Sequence, residues 1–339
     1  NIVGVDIGCG MLTVDLKDSQ IDLEKLDQII RKYIPSGTSV HSGRIMRFDK
    51  LQELYCYREL KDSKRVERSI GTLGGGNHFI EVDVDENNHS YLVIHTGSRN
   101  LGKQVAQYYQ NLAYDLMAGK DELLLKQEQL ISDYKKQGRK DELQEAIKEL
   151  RKNFIAKEVQ LPKELCYLSG KYRDQYLHDM AICQEYATLN RQMIAKIILK
   201  QLLDMSLEEF DYFETIHNYI DHDENIMRKG AVSAKLNEKI LIPINMRDGS
   251  LICLGKGNEE WNQSAPHGAG RLYSRQKAKE LFSLNEFEDQ MQGIYSTSIN
   301  QHTLDECPMA YKSMDDIVNN IGETATIIQV IKPIYNFKA

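Results

Sequence analysis

Strand-like segments lie near both ends of the chain, and a long helical region separates the two groups. The segments predicted to be strands, from apolar alternation or short apolar runs, are 2–7, 11–16, 78–84, 91–95, 239–244, 251–254 and 324–335. The segments predicted to be helices, from apolar residues at helical spacing, are 22–34, 49–60, 101–117, 173–203 and 273–282. Because strands and helices are grouped rather than regularly alternating, the sequence favours an α+β fold over repeated βαβ units.

Residues 120–158 differ in composition from the rest of the chain. Their apolar residues recur at intervals of three, four and seven, most of the others are charged or Gln, and the pattern breaks around Gln137-Gly138-Arg139. This pattern predicts an antiparallel helical hairpin that projects from the body. Its charges could form a binding surface, but a solvated helix face is the favoured interpretation. Since no internal repeat or low-complexity linker occurs, we expect one large domain over 1–339 with the hairpin inserted at about 120–160.

Composition and charge argue against several classes of protein. A formal net charge of −7 disfavours attraction of nucleic acid over the whole surface, although it is compatible with a local basic cleft. No apolar run approaches the roughly 18 residues of a membrane span, and no basic segment precedes the apolar run 2–7, so neither a transmembrane helix nor a signal peptide is expected. Six cysteines without paired spacing favour a reducing, cytoplasmic compartment.

Five short segments carry a metal-capable or nucleophilic side chain, most of them beside glycines that let the backbone approach a ligand closely. They are Asp6-Ile7-Gly8-Cys9-Gly10, Gly74-Gly75-Gly76-Asn77-His78, His95-Thr96-Gly97-Ser98-Arg99, Thr215-Ile216-His217-Asn218 and His267-Gly268-Ala269-Gly270-Arg271.

The first four segments together predict a metal site. Asp6, Cys9, His78, His95 and His217 would supply oxygen, sulfur and nitrogen ligands for one or two divalent ions. Each residue alone has an ordinary structural interpretation: a buried cysteine, hydrogen-bonded histidines at strand ends, or a helix-terminal His217. A thiolate favours zinc, whereas the carboxylate and imidazoles also suit manganese, so ligand type does not decide the metal.

The fifth segment predicts an anion site with a nucleophile. Gly268-Ala269-Gly270 precedes the helix expected at 273–282, so backbone N–H groups and the helix N-terminus could hold an anion. Arg271 and Arg275 add guanidinium groups suited to phosphate. A neutral His267 imidazole at this place could attack phosphorus and later leave, which is covalent catalysis by histidine. The alternative is a set of glycines that merely stabilise a loop.

These segments, in this order, resemble the RtcB family of RNA ligases. The matching strings are Val5–Met11, Gly71–Glu81, His95–Gly102, His217–Tyr219, Arg228–Ala231, His267–Arg275, Pro308–Lys312 and the C-terminal Lys338. They span nearly the whole chain, and their co-occurrence is specific. The resemblance implies a fold with mixed or antiparallel sheets around a deep metal-containing cleft.

The resemblance also implies a chemistry. Family members bind two Mn²⁺ ions with the cysteine as a bridge, so Asp6, Cys9 and His78 would hold one ion and Cys9, His95 and His217 the other. His267 would react with GTP to form a phosphoramidate, pass GMP to an RNA 3′-phosphate, and allow the 5′-OH of a second strand to attack. A 2′,3′-cyclic phosphate would first be opened to the 3′-phosphate.

The family's nucleotide and RNA contacts can be carried over residue by residue. Glu81, Tyr311 and Lys338 would contact guanine, with a carboxylate accepting from N1–H and N2–H₂ and a cation donating to O6 or N7. The remaining nucleotide contacts would be Asn77, Gly268, Ala269, Gly270 and Arg271, and the phosphate or RNA contacts would be Arg99 and Arg275. Surface charge is the competing interpretation for Arg99 and Arg275, and terminal disorder is the competing interpretation for Lys338. RNA is the implied partner of a cytoplasmic monomer, with an archease-type protein as a candidate activator.

Two departures from the family pattern keep other functions open. Where the family usually has Pro-Gly-Ser-Met-Gly, residues 243–249 read Pro-Ile-Asn-Met-Arg-Asp-Gly, and the several dozen residues that usually precede the Val5–Met11 segment are absent here. The altered loop motivates a metal-dependent phosphoesterase that opens cyclic phosphates without guanylylation. A catalytically silent RNA- or nucleotide-binding protein is the alternative from another class.

Overall fold

A computed structural model describes residues 3–338 of the chain. The strands are β1 (Gly10–Lys17), β2 (Phe79–Val84), β3 (Ser90–Thr96), β4 (Asp211–Ile216), β5 (Tyr219–Asp221), β6 (Ile226–Arg228), β7 (Ala231–Ser233), β8 (Lys239–Asn245), β9 (Gly249–Gly255), β10 (Ser264–Pro266) and β11 (Ala325–Lys338). The α-helices are α1 (Leu23–Tyr33), α2 (Ser63–Glu67), α3 (Arg99–Met117), α4 (Lys120–Lys136), α5 (Leu143–Lys152), α6 (Gly170–Leu203), α7 (Arg275–Leu281), α8 (Leu284–Gln290) and α9 (Met314–Val318). The α+β class is confirmed.

The centre of the fold is a seven-stranded sheet in the order β4-β1-β3-β2-β11-β9-β8. Every pairing between these strands is antiparallel, so of the two expected kinds of sheet, mixed or antiparallel, the antiparallel kind is present. The two edge strands come close to each other, because the Leu241 N–H of β8 donates to Thr215 Oγ1 of β4 at 2.9 Å. The sheet therefore curves strongly and leaves little of either edge free.

Both faces of the sheet are buried at its centre, which explains why apolar side chains of β1 and β3 point to either face. Leu12, Val14 and Ile94 pack on one face with Ile198 of α6. Met11 and Val93 pack with Ile252 on the other face. The long helix α6 thus lies across the sheet and, as shown below, carries polar residues that hold the loops at one end of it.

The helical hairpin is present at the predicted place. Helices α4 and α5 contribute no buried residue, so their charged sides are solvated. The two ends of the insertion meet where the Lys157 N–H donates to the Ala118 carbonyl at 2.9 Å. The hairpin is therefore a projection that the body does not need for its own core.

Two predicted elements are wrong. Residues 3–9 form turns instead of a strand, since Gly4 and Gly8 have φ of +95° and +70° and Ile7 packs into the helical core around α3 and α6; residue 2 lies outside the described residues. Residues 49–60 form two short 3₁₀ helices, Asp49–Glu53 and Tyr57–Glu59, rather than one α-helix. Among residues 3–338, no helix has the length and apolar character that crossing a bilayer requires.

Candidate active site

The antiparallel topology brings the predicted metal ligands to one end of the sheet. β1 begins where β3 and β4 end, because Gly10 pairs with both Thr96 and Ile216. β2 also begins there, since Phe79 pairs with His95. Side chains just before β1 and β2, and just at the ends of β3 and β4, must therefore converge. Those positions hold Asp6, Cys9, His78, His95 and His217.

Asp6, Cys9 and His78 form the first group of candidate ligands. Their ligand atoms lie within 4.8 Å of one another. His78 Nε2 is 2.9 Å from Asp6 Oδ2 and 3.5 Å from Cys9 Sγ. The tight turn that places the carboxylate and the thiol side by side is closed by the Cys9 N–H, which donates to the Asp6 carbonyl at 3.2 Å.

Cys9, His95 and His217 form the second group, again within 4.8 Å. His95 Nε2 is 3.3 Å from Cys9 Sγ and 3.4 Å from His217 Nε2. Cys9 therefore belongs to both groups. The structural interpretation of His217 as a helix-terminal residue is wrong, because His217 directly follows strand β4.

Backbone carbonyls orient two of the imidazoles. The Nδ1 atoms of His78 and His95 lie 2.9 Å and 3.1 Å from the carbonyls of Leu73 and Asn77. An Nδ1–H donor to each carbonyl leaves Nε2 as a lone-pair donor toward the cluster, as metal-binding histidines require. Within residues 3–338, Asp6 Oδ1 and His217 Nδ1 are buried without a hydrogen-bond partner.

The electrostatics favour neutral imidazoles. Burial, together with the neighbouring His217, lowers the pKa of His95 well below its ordinary value. Burial, together with His267, lowers the pKa of His217 to about 3. Burial raises the pKa of the Cys9 thiol, and Asp6 adds to this. Burial opposes ionisation of Asp6, but the hydrogen bond and charge of His78, together with Cys9 and Arg99, outweigh it, and the pKa of Asp6 is lowered.

Two glycines make the close approach possible. A Cβ on Gly97 would lie 2.4 Å from Asp6 Oδ1, and a Cβ on Gly10 would lie 2.5 Å from the Thr215 carbonyl. Any side chain at either place would push the ligand loops apart.

Polar residues of α6 hold these loops from behind, and the sequence analysis missed them. The fully buried Arg191 donates from NH1 to the carbonyls of Gly8 (2.8 Å) and Thr96 (3.0 Å). Asn190 accepts from the Gly71 N–H at 2.7 Å and donates to the Gly97 carbonyl at 3.1 Å. Asn190 and Arg191 are, with Asp179, the polar residues on the mostly apolar buried face of α6, and that was the available signal.

A cavity of about 300 Å³ opens beside the second ligand group. The predicted site residues that line it are Asn77, Glu81, His95, His217, His267, Gly268, Ala269, Gly270, Arg271, Arg275, Tyr311 and Lys338. Phe79, Asn336 and Glu306 also line it and had not been predicted. Asp6, Cys9, His78 and Arg99 are not part of its lining.

His267 lies at the boundary between the cavity and the candidate metal ligands. Its ring is edge-on to that of His217, with centroids 5.0 Å apart and an interplanar angle of 70°. Burial lowers the pKa of His267, and a hydrogen bond to the backbone of Gly230 opposes this in part. A neutral imidazole that lines the cavity is suited to nucleophilic attack.

Glu81 and Lys338 lie at the cavity wall, but they do not pair with each other. Burial raises the pKa of Glu81 to about 7, and the Asn336 amide donates to its carboxylate. The Lys338 ammonium is 2.8 Å from Glu306 Oε2. Lys338 is buried at the end of β11, so the interpretation of a disordered terminus does not apply to it.

The predicted anion cradle is only partly available. Helix α7 begins at Arg275, two residues later than expected, and the Ser274 side chain caps it by accepting from the Lys277 N–H. The Ala269 N–H donates to the Pro243 carbonyl at 3.0 Å. The guanidinium groups, rather than a helix terminus, are therefore the candidate anion-binding groups of this segment.

Arg99 lies apart from the cavity. It contacts Thr72 Oγ1 and the Gly37 carbonyl, both at 3.2 Å, and packs against Gly74. This position is next to the first ligand group, because the Arg99 charge acts on Asp6. Arg99 therefore lies outside the cavity that Arg275 lines.

The divergent segment 243–249 is the hairpin turn between β8 and β9. Its first four residues line the cavity, and Met246 is buried against α8 and the segment before Tyr311. The two charged residues point elsewhere: Arg247 pairs with Asp248 at 2.7 Å and contacts Gln290. The substitution of charged residues into this loop therefore leaves the cavity free of their side chains.

A model of the family described as tRNA-splicing ligase RtcB matches residues 56–339. The chain belongs to the RtcB family. It is 29% identical to the RNA-splicing ligase RtcB of Escherichia coli strain K12, over 98% of this chain and 81% of that protein. It is 26% identical to the tRNA-splicing ligases RtcB of Nanoarchaeum equitans and Aeropyrum pernix, in each case over 93% of this chain and 76% of the relative. The RtcB match includes three of the candidate ligands, His78, His95 and His217, together with the cavity and His267.

Proposed function

We propose that this chain is a GTP- and Mn²⁺-dependent RNA ligase that joins 3′-phosphate or 2′,3′-cyclic phosphate ends to 5′-OH ends through a guanylylated histidine. The observation that carries the proposal is the position of His267, whose ring is 5.0 Å from that of His217 and which lines the same cavity as Glu81, Tyr311 and Lys338. The relatives are named as RNA-splicing and tRNA-splicing ligases.

The residues present fit a pair of divalent ions. Asp6, Cys9 and His78 would hold one, Cys9, His95 and His217 the other, and the buried Asp6 Oδ1 is without a partner among residues 3–338. Bound ions would polarise phosphoryl oxygens and neutralise charge on attacking and leaving groups. A carboxylate and imidazoles suit manganese, which agrees with the resemblance noted above.

His267 would attack the α-phosphorus of GTP through one ring nitrogen. A P–N bond forms, the bond from that phosphorus to the bridging oxygen breaks, and pyrophosphate leaves. The RNA 3′-phosphate then displaces the histidine from phosphorus, and the 5′-OH of the second strand finally displaces GMP. Because burial keeps the free imidazole neutral, its lone pair is available for the first step.

The base would be selected at the far wall of the cavity. Ionised Glu81 can accept from guanine N1–H and N2–H₂, Lys338 can donate to O6 or N7, and the Tyr311 ring can stack. Asn77, Gly268, Ala269, Gly270 and Arg271 would contact the rest of the nucleotide, and Arg99 and Arg275 would contact RNA phosphates.

The phosphoesterase alternative was motivated by the bulkier and charged residues of the 243–249 loop. The charged residues do not support it, because the Arg247 and Asp248 side chains pair outside the cavity, whereas Ile244 and Asn245 line the cavity. The body is proposed to act as one catalytic domain and as a cytoplasmic monomer, with the hairpin as an insertion and an archease-type protein as a candidate activator.

The proposal is tested by sealing under single-turnover conditions, with enzyme in excess over RNA. A strand ending in a 2′,3′-cyclic phosphate and a strand beginning with 5′-OH should be joined only when both GTP and Mn²⁺ are present. Strands ending in 3′-OH with a 5′-phosphate partner should not be joined. Opening of the cyclic phosphate without sealing would favour the phosphoesterase, and neither reaction would favour a binding protein.

A further inference from the structure

A single carboxylate organises the nucleotide side of the cavity. Glu306 belongs to a short 3₁₀ turn (Leu304–Glu306) and is only 2% exposed, although it is charged. A buried carboxylate is costly unless its oxygens are fully paired. The side chains that pair with the Glu306 carboxylate therefore indicate the role of this residue.

Each oxygen of Glu306 holds two side chains of the proposed nucleotide site. Oε2 is 2.8 Å from the Lys338 ammonium and 2.5 Å from the Tyr311 hydroxyl. Oε1 is 3.2 Å from Arg271 NH1 and 2.5 Å from Arg275 NH1. Arg271 also lies over the Tyr311 ring at 5.1 Å. We call these five residues the Glu306 cluster.

We propose that Glu306 is a positioning residue for the nucleotide, which sets the places of Lys338, Tyr311, Arg271 and Arg275 before the nucleotide binds. This inference rests on the proposed function, because it assumes that a guanine nucleotide occupies this cavity.

Charge supports the role. Glu306 and its neighbour Asp305 face four cations: Lys338, Arg271, Arg275 and Lys279, the last two paired with Asp305. Counted together with Asp305 and Lys279, the cluster keeps an excess of two positive charges, which suits an anionic ligand. Burial opposes ionisation of Glu306, but Lys338 above all the other partners offsets this and lowers its pKa to about 2.

Position supports it as well. Lys338 is near the end of the chain, and its backbone is held by Ser298, whose Oγ accepts from the Lys338 N–H at 3.0 Å. The ammonium at the tip of this side chain has Glu306 as its ion-pair partner among the described residues. Without Glu306, a flexible lysine would be free to choose among rotamers, and its direction toward the base would be lost.

The test is a double-mutant cycle on GMP affinity, measured by calorimetric titration of the full chain with Mn²⁺ present. Glu306→Gln keeps the shape and removes the charge, and Lys338→Met removes the ammonium. Each single variant should weaken GMP binding by about tenfold or more. The weakening in the double variant Glu306→Gln/Lys338→Met should fall short of the product of the two single effects by about threefold or more, because part of the effect of Glu306 is exerted through Lys338.

Asp305→Asn is the matched comparison, since it removes an adjacent buried carboxylate that pairs with Arg275 and Lys279 but not with Lys338. It should weaken GMP binding less than Glu306→Gln does. Glu306→Gln that binds GMP like the wild type, or single effects that multiply in the double variant, would overturn the inference. If Glu306→Gln does not fold, Glu306→Asp, which keeps the charge and shortens the side chain by one methylene, takes its place in the cycle.

The failure of the proposed function has a different signature. If the wild type binds GMP but forms no covalent guanylate, the proposed ligation chemistry is contradicted. The double-mutant cycle on GMP affinity can then still be measured. A wild-type chain that does not bind GMP overturns the role of Glu306.

Discussion

Cys9 Sγ lies 3.3 Å from His95 Nε2, and the same sulfur is a member of both groups of candidate metal ligands. The first group adds Asp6 and His78, and the second adds His217. A ligand shared in this way couples the two ion positions. Replacement of the sulfur should therefore weaken ion binding at both positions.

Cys9→Ser should reduce bound Mn²⁺ from two ions per chain to fewer than one, because a neutral hydroxyl replaces the shared thiolate. The measurement is metal content by mass spectrometry after dialysis against Mn²⁺. Cys166→Ser is the control, since Cys166 is a near-surface cysteine that lines another cavity. Full metal content in Cys9→Ser would contradict the shared-ligand arrangement.

The Glu81→Ala variant should lose most of the preference for GTP over ATP. In the wild type, adenine would leave both Glu81 and Lys338 mismatched, and unpaired buried polar groups cost about 1–3 kcal/mol each, so GTP should be preferred to ATP by roughly a hundredfold. In Glu81→Ala the preference should fall by about tenfold or more, while the exposed control Glu86→Ala keeps it. The measurement is the rate of covalent labelling by each nucleotide. Equal wild-type rates would mean that the base is not read in this way.

Acid should destabilise the protein partly through Glu306. The pKa of this carboxyl is lowered to about 2 in the folded chain, from an ordinary value of 4.5. Its stabilising contribution is complete above pH 4.5 and is lost as the pH falls toward 2. The free energy of unfolding should therefore drop by about 2 kcal/mol more between pH 6 and pH 3 in the wild type than in Glu306→Gln. Urea titrations at the two pH values measure this, and equal drops would contradict it.

Removal of the hairpin should leave the chemistry intact. Helices α4 and α5 bury no residue, and the ends of the insertion are already joined by the hydrogen bond between Lys157 and Ala118. Replacing residues 120–156 with a short Gly-Ser linker should shift the melting temperature by only about 3 °C or less and leave nucleotide labelling unchanged. The control is the same linker in place of residues 190–193 of α6, which should abolish folding. A tenfold rise in the KM for RNA would instead make the hairpin a binding surface.

The sequence predicted the elements well where its periodicity was strong. The strands around Leu12, Ile80 and Ile94, the long helix α6 and the hairpin all lie where their patterns indicated. Residues 3–9 were mistaken for a strand, because a short apolar run reads alike whether it pairs in a sheet or packs in turns against helices. The positive φ values at Gly4 and Gly8 decided the outcome.

The site was predicted less completely than the fold. Local motifs identified side chains that carry chemistry, such as His267, and the structure brings most of them together. The residues that hold those side chains were missed: Arg191 and Asn190 behind the ligand loops, and Glu306 behind Lys338. Arg191 is 183 residues along the chain from Gly8, Asn190 is 93 residues from Gly97 and Glu306 is 32 residues from Lys338, so no local pattern could reveal these contacts.

Covalent guanylylation of His267 is measured by labelling the protein with GTP that carries ³²P at the α-phosphate, in the presence of Mn²⁺. The wild type should carry a label that acid releases, as a phosphoramidate does. His267→Ala should carry none while it keeps its metal content, and the exposed control His302→Ala should label normally. A persistent label in His267→Ala, or no label in the wild type, would contradict guanylylation of His267.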